Sequence, residues 1–239
     1  MGYLYLIIFA LLPSLIWLLF FLRKDANPES NEMILKVFLY GMLAVIPAAI
    51  IQFGFIGFFK NLPLSPFLIL TLSLFIGVAL VEEVSKYLVV HLKVLKSPEL
   101  DEPLDVMLYM IVAALGFAAL ENILYLLQAE TISDILLLNL LRFIAPVFGH
   151  ALWSGTLGYF LALSFYEPKQ KLKLLIFGFA LVSFLHAAFN YVIMQAAETE
   201  DGKWLIWIII MIISLAIFVT LGFKRLQKLK SICKIHPVK

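Results

Sequence analysis

Charge is what this sequence has least of. Only 14% of its 239 residues are Asp, Glu, Lys or Arg, against about 25% in soluble domains, while 63% are hydrophobic. This excludes a water-soluble globular chain and indicates a polytopic membrane protein. Cysteine is nearly absent. The single Cys233 rules out an internal disulfide, lacks the setting of a metal site, and is expected to be an inert thiol in a basic tail. No Gly-, Ser- or Pro-rich stretch is long enough to be a linker, so residues 1–239 are read as one integral membrane domain. Internal repeats and low-complexity tracts are missing. Alternating polarity is missing as well, which excludes a β-barrel and leaves an all-α bundle. Nothing points to nucleic acid; the lipid bilayer is the expected surrounding.

Apolar runs of about 20 residues are what a spanning helix needs. They occur near residues 2–22, 36–59, 67–92, 105–128, 146–166, 173–195 and 203–223. Seven spans are therefore expected. The segment 133–145 is apolar but short, and it carries Asn139 and Arg142. It reads as a surface or re-entrant helix, and would make an eighth span if it crossed separately. The first span has no basic n-region and no small-residue cleavage site, so it is expected to be an anchor.

Loop charge sets orientation. With the N-terminus outside, the inside segments hold 14 of the 18 basic residues, six of them in the tail 224–239. The outside segments hold only Lys60, Arg142 and Lys203, and Lys86 lies within a span. A reporter fused after Arg225 should accordingly be cytoplasmic. A periplasmic or extracellular signal at that position would contradict this orientation.

Against this apolar background, polar residues stand out in four spans. Glu82, Glu83 and Lys86 lie in the third, and Glu121 and Asn122 follow Phe117 in the fourth. His150 lies in the fifth, with Ser154 one turn on; His186 and Asn190 lie in the sixth. A charge at membrane depth costs roughly 2.5–3.5 kcal/mol on insertion scales. Residues i and i+4 share a helix face, so Glu82 stacks with Lys86 and His186 with Asn190. Taken singly, each group is explained by a buried ion pair or an interhelical hydrogen bond. Four groups on consecutive spans instead suggest one interior cavity, at or just outside the midplane. Arg142 is either a counter-ion for Glu121 or a surface anchor. His91 is expected at the interface and His236 in solvent.

Glutamates and histidines can activate water, because a shielded carboxylate is a general base and imidazole or amide groups can donate to an oxyanion. Ser154 has no evident base partner in the sequence, and HExxH is absent, which argues against a zincin-type site. The same Glu and His residues could still hold a divalent metal. A proton-coupled transporter is the rival class, although paired halves with broken helices are not visible. A non-catalytic scaffold or immunity protein is another.

The motifs also occur in a known order. Glu82-Glu83-Val84-Ser85-Lys86 is an EExxK motif and Phe117 to Asn122 an FxxxEN motif, followed by His150 and by His186-xxx-Asn190. Over roughly residues 80–191 the chain resembles the PrsW family of intramembrane proteases. More distantly it is similar to the CaaX-processing and bacteriocin-processing membrane endopeptidases. Those carry a histidine at the second motif, where this chain has Glu121-Asn122, so roles do not transfer at that position. The resemblance implies regulated intramembrane proteolysis in a prokaryotic plasma membrane, with first-site cleavage of a membrane-anchored anti-sigma factor. By similarity, Glu82 and Glu83 are the catalytic glutamates and Glu121, His150, His186 and Asn190 complete the site. Lys86, Asn122 and Phe117 support it. No cofactor is favoured. If a metal such as zinc is used, its ligands come from Glu82, Glu83, Glu121, His150 and His186.

Overall fold

The computed structural model describes residues 3–25, 27–199 and 201–229. His236 and Cys233 lie outside them. Among the described residues every regular element is helical, and seven helices are long and apolar enough to cross a membrane. We label them α1 (Tyr3–Leu22), α2 (Asn31–Lys60), α3 (Pro66–Lys93), α4 (Pro103–Leu126), α5 (Ile132–Tyr166), α6 (Lys171–Thr199) and α7 (Lys203–Leu226).

Helix ends follow local chemistry rather than hydropathy. The second helix begins at Asn31, five residues before the apolar run, because Ser30 Oγ accepts the Met33 backbone N–H. The α4 helix begins at Pro103, with Glu102 and Asp105 forming reciprocal caps. The segment 133–145 is not an eighth span. It starts at Ile132, capped by Thr131, and runs through a π-helical stretch, Phe143–Val147, straight into α5.

The α4 helix is the axis of the bundle, buried along nearly all of its length and packed on α1, α2 and α5. Its meeting with α2 is close enough to need glycine. A Cβ on Gly41 would lie 2.2 Å from the Ala113 carbonyl oxygen, and one on Gly116 would lie 2.0 Å from that of Phe38. In a bilayer, where lipid tails are as apolar as leucine, such close packing rather than hydrophobic exclusion holds helices together. The outer helices turn leucine, isoleucine and phenylalanine outward. On α2, Leu35, Leu39, Leu43, Ile46, Ile50 and Phe53 form an exposed stripe at helical spacing, which suits acyl chains.

Polar residues are drawn inward around this axis. The α3 helix has its own π-helical stretch, Ser73–Leu80, ending just before Glu82 and Glu83. The π-helical stretch of α5 ends just before His150. Wide turns of this kind are frequent next to functional sites, since they re-aim the side chains that follow.

Candidate active site

Glu82 and Glu83 point about 100° apart on an ideal helix, yet both are buried. Each faces a different set of partners. Glu83 is fully engaged. Its Oε1 accepts from Lys86 Nζ at 2.7 Å and its Oε2 from Ser154 Oγ at 2.7 Å, with His186 Nδ1 a further 3.4 Å from Oε1. Glu82 is engaged at one oxygen only. Its Oε1 accepts from Gln52 Nε2 of α2 at 3.1 Å. Its Oε2 is buried without a hydrogen bond among the described residues. That oxygen lies 3.9 Å from His150 Nδ1, 3.9 Å from His186 Nε2 and 3.5 Å from Lys86 Nζ.

The two imidazoles are held differently. His186 stacks on Trp153, with ring centroids 4.1 Å apart and planes 11° from parallel. Its Nδ1 makes no hydrogen bond among the described residues. His150 Nδ1 is 2.7 Å from Lys86 Nζ, and its Nε2 is 3.1 Å from Glu121 Oε2. An ammonium has only hydrogens to give, so Nδ1 accepts and the neutral ring carries its hydrogen on Nε2, aimed at Glu121.

Behind His150, Glu121 accepts from Arg142 Nη2 at 2.7 Å. Arg142 is therefore the counter-ion of Glu121. It also donates through Nε to Asn122 Oδ1 at 2.8 Å. Asn122 in turn donates to the Ala10 carbonyl and to Asn139 Oδ1, so it ties α1, α4 and the start of α5 together and does not face the cluster. Phe117 lies beneath the Lys86 ammonium, 4.7 Å from ring centroid to nitrogen.

The structure thus brings together Glu82, Glu83, Lys86, Glu121, His150 and His186, with Phe117 as a floor. Asn190, one turn beyond His186, is half-buried, and its side chain makes no hydrogen bond among the described residues. Two contributors escaped the sequence reading. Ser154 has a carboxylate partner after all, in Glu83. Gln52 comes from a helix that carried no other polar signal at that depth. His91 is half-buried beside Tyr87, to whose hydroxyl its Nδ1 is 3.2 Å away.

Comparison with known proteins gives this cluster a family. A family model described as PrsW family intramembrane metalloprotease matches residues 29–221. The chain belongs to the PrsW family. Among proteins named Protease PrsW, that of Geobacillus kaustophilus is 33% identical over 175 residues, 73% of each chain. That of Bacillus subtilis is 26% identical over 221 residues, 89% of each. No solved structure matches the chain. As a PrsW family member with seven apolar helices, it is a multi-pass bacterial membrane protein and an intramembrane protease.

The family description names a metal, so the donor set bears on it. Glu82, His150 and His186 each offer a ligand atom, and these atoms lie within 4.8 Å of one another. One carboxylate and two imidazoles are the ligands of a common class of catalytic zinc site, and Glu82 Oε2 is free to ligate. These residues fit a divalent ion. A second acidic group, Asp25, Glu29 and Asp105, lies at the other end of α4. There Asp105 caps the backbone N–H groups of Asp101 and Glu102, and Glu29 accepts from the Tyr109 hydroxyl. Burial raises the pKa of Glu29. Asp105 is thus engaged in helix capping, Glu29 with Tyr109, and Asp25 with the Asn27 backbone N–H.

Proposed function

We propose that this PrsW protein makes the first cut in a membrane-anchored, anti-sigma-factor-like protein by attack of water on a peptide bond within or beside the bilayer. One observation carries the reading. Glu82 Oε2 is a buried carboxylate oxygen with no hydrogen bond among the described residues, facing two imidazoles. In that position it takes the proton of an attacking water. His150, both of whose ring nitrogens are held by Lys86 and Glu121, forms the wall against which that water sits. The released proton passes from Glu82 to the leaving amine. Glu83 does no proton chemistry; with both oxygens bonded, it holds Lys86 and Ser154. His186 and Asn190 donate to the oxyanion that forms on the scissile carbonyl.

This assigns a transition-state contact to the pair on α6. Loss of one such donor typically costs about 2.7–4 kcal/mol. His186→Ala and Asn190→Ala should therefore lower kcat far more than they raise KM. If Asn190 serves only in packing, its alanine variant should instead turn over normally and melt at a lower temperature. Turnover and melting measured on the same purified variants separate the two.

A second reading is favoured by the donor geometry itself. Glu82, His150 and His186 would hold a divalent ion, whose contribution would be to polarise the carbonyl and to lower the pKa of bound water to about 7. The glutamate reading predicts active protein without stoichiometric zinc. Activity lost with one equivalent of metal on chelation, and restored with its return, would favour the second.

A further inference from the structure

The Lys86 ammonium is the cation at the centre of this cluster. It is completely buried, 2.7 Å from Glu83 Oε1, 2.7 Å from His150 Nδ1 and 3.5 Å from Glu82 Oε2. Glu82 and His150 are two of the three residues whose donor atoms converge closely enough to bind a metal. While Lys86 is seated, His150 is not free to ligate. The His150 Nδ1 lone pair is taken by the ammonium, and the Nε2 hydrogen is directed at Glu121. Neither ring nitrogen then has a lone pair to give. An ammonium and a dication among the same atoms would also repel each other across a site with little water to screen them.

We propose that the Lys86 ammonium and a divalent metal ion are alternative occupants of one cation site. A metal enters only when Lys86 withdraws from His150 and Glu82, and Lys86 thereby sets the metal affinity of the protein. The four-carbon stem of lysine, with its rotatable bonds, permits withdrawal in a way that a helix backbone does not. The inference concerns cation binding and stands apart from whether the cluster cleaves peptides.

The test is metal binding at one fixed pH near 7, on full-length protein in detergent. Zinc affinity is measured by calorimetry, and Co2+ is added as a spectroscopic probe of the ligands. Three variants are compared with the wild type. Lys86→Met removes the cation. Lys86→Gln also removes it but keeps a donor for Glu83, which guards against misfolding. Lys86→Arg keeps the charge. Both neutral variants should bind zinc more tightly than wild type by about 100-fold, the upper end of what a group beside a ligand set commonly contributes. Lys86→Arg should stay with the wild type. Adding Glu82→Gln to Lys86→Gln should abolish the gain, which locates the ion at this cluster. Equal zinc affinity in wild type and Lys86→Gln would overturn the proposal, as would no binding in either. Peptide cleavage is scored separately on the same preparations, so failure of the protease reading leaves the binding result intact.

Discussion

Glu82→Gln should abolish most peptide cleavage while leaving the protein folded. The amide keeps the size of the carboxylate, and its oxygen can still accept from Gln52, as Glu82 Oε1 does at 3.1 Å. What is lost is the proton acceptor at Oε2, the oxygen with no hydrogen bond among the described residues. Loss of a general base typically lowers rate by about 10²–10⁴-fold, and an effect of that size is expected in kcat. Melting in detergent should stay near the wild-type value, since the contact between Glu82 and Lys86 is long, at 3.5 Å. Cleavage near the wild-type rate would remove Glu82 from the mechanism.

The neighbouring substitution should fail in a different way. Glu83→Gln breaks a fully buried ion pair at 2.7 Å and leaves the Lys86 ammonium with one distant carboxylate. Removing one partner of a buried pair commonly costs about 3–5 kcal/mol, because the remaining charge stays desolvated. A large drop in melting temperature or in yield is expected, and the protein that does fold should retain more turnover than Glu82→Gln. The order of the two residues in each assay is what matters. A stable but inactive Glu83→Gln beside an active Glu82→Gln would exchange their roles.

This asymmetry was out of reach of the sequence, which presents two identical side chains in a row. Helical spacing pairs Glu82 with Lys86 at i+4, but the shorter contact in the structure is from Glu83 at i+3. The choice is made by neighbours on other helices. Ser154 and His186 approach Glu83, and Gln52 approaches Glu82. None of these contacts is local in the chain. The seven spans were legible because the bilayer demands long apolar runs, and the polar residues stood out because charge is costly there. Helix ends were misplaced where a side-chain cap such as Ser30 extends the helix beyond the apolar run. The fate of residues 133–145 was open because hydropathy does not register a π-helical join such as Phe143–Val147. Arg142 shows the same limit. As a charge it reads equally well as an anchor or a counter-ion, and only the folded α4–α5 contact brings it 2.7 Å from Glu121.

The central claim is that water held at Glu82 attacks a peptide bond of a membrane-anchored substrate. The most direct measurement is a single turnover of purified protein with a single-pass substrate in water enriched in oxygen-18, read by mass spectrometry. The account predicts one cut in or beside the hydrophobic segment, with one heavy oxygen in the new C-terminal carboxylate and none in Glu82, and product from Glu82→Gln formed about 10²-fold or more slowly. An intact substrate, or heavy oxygen in the Glu82 side chain, would contradict it.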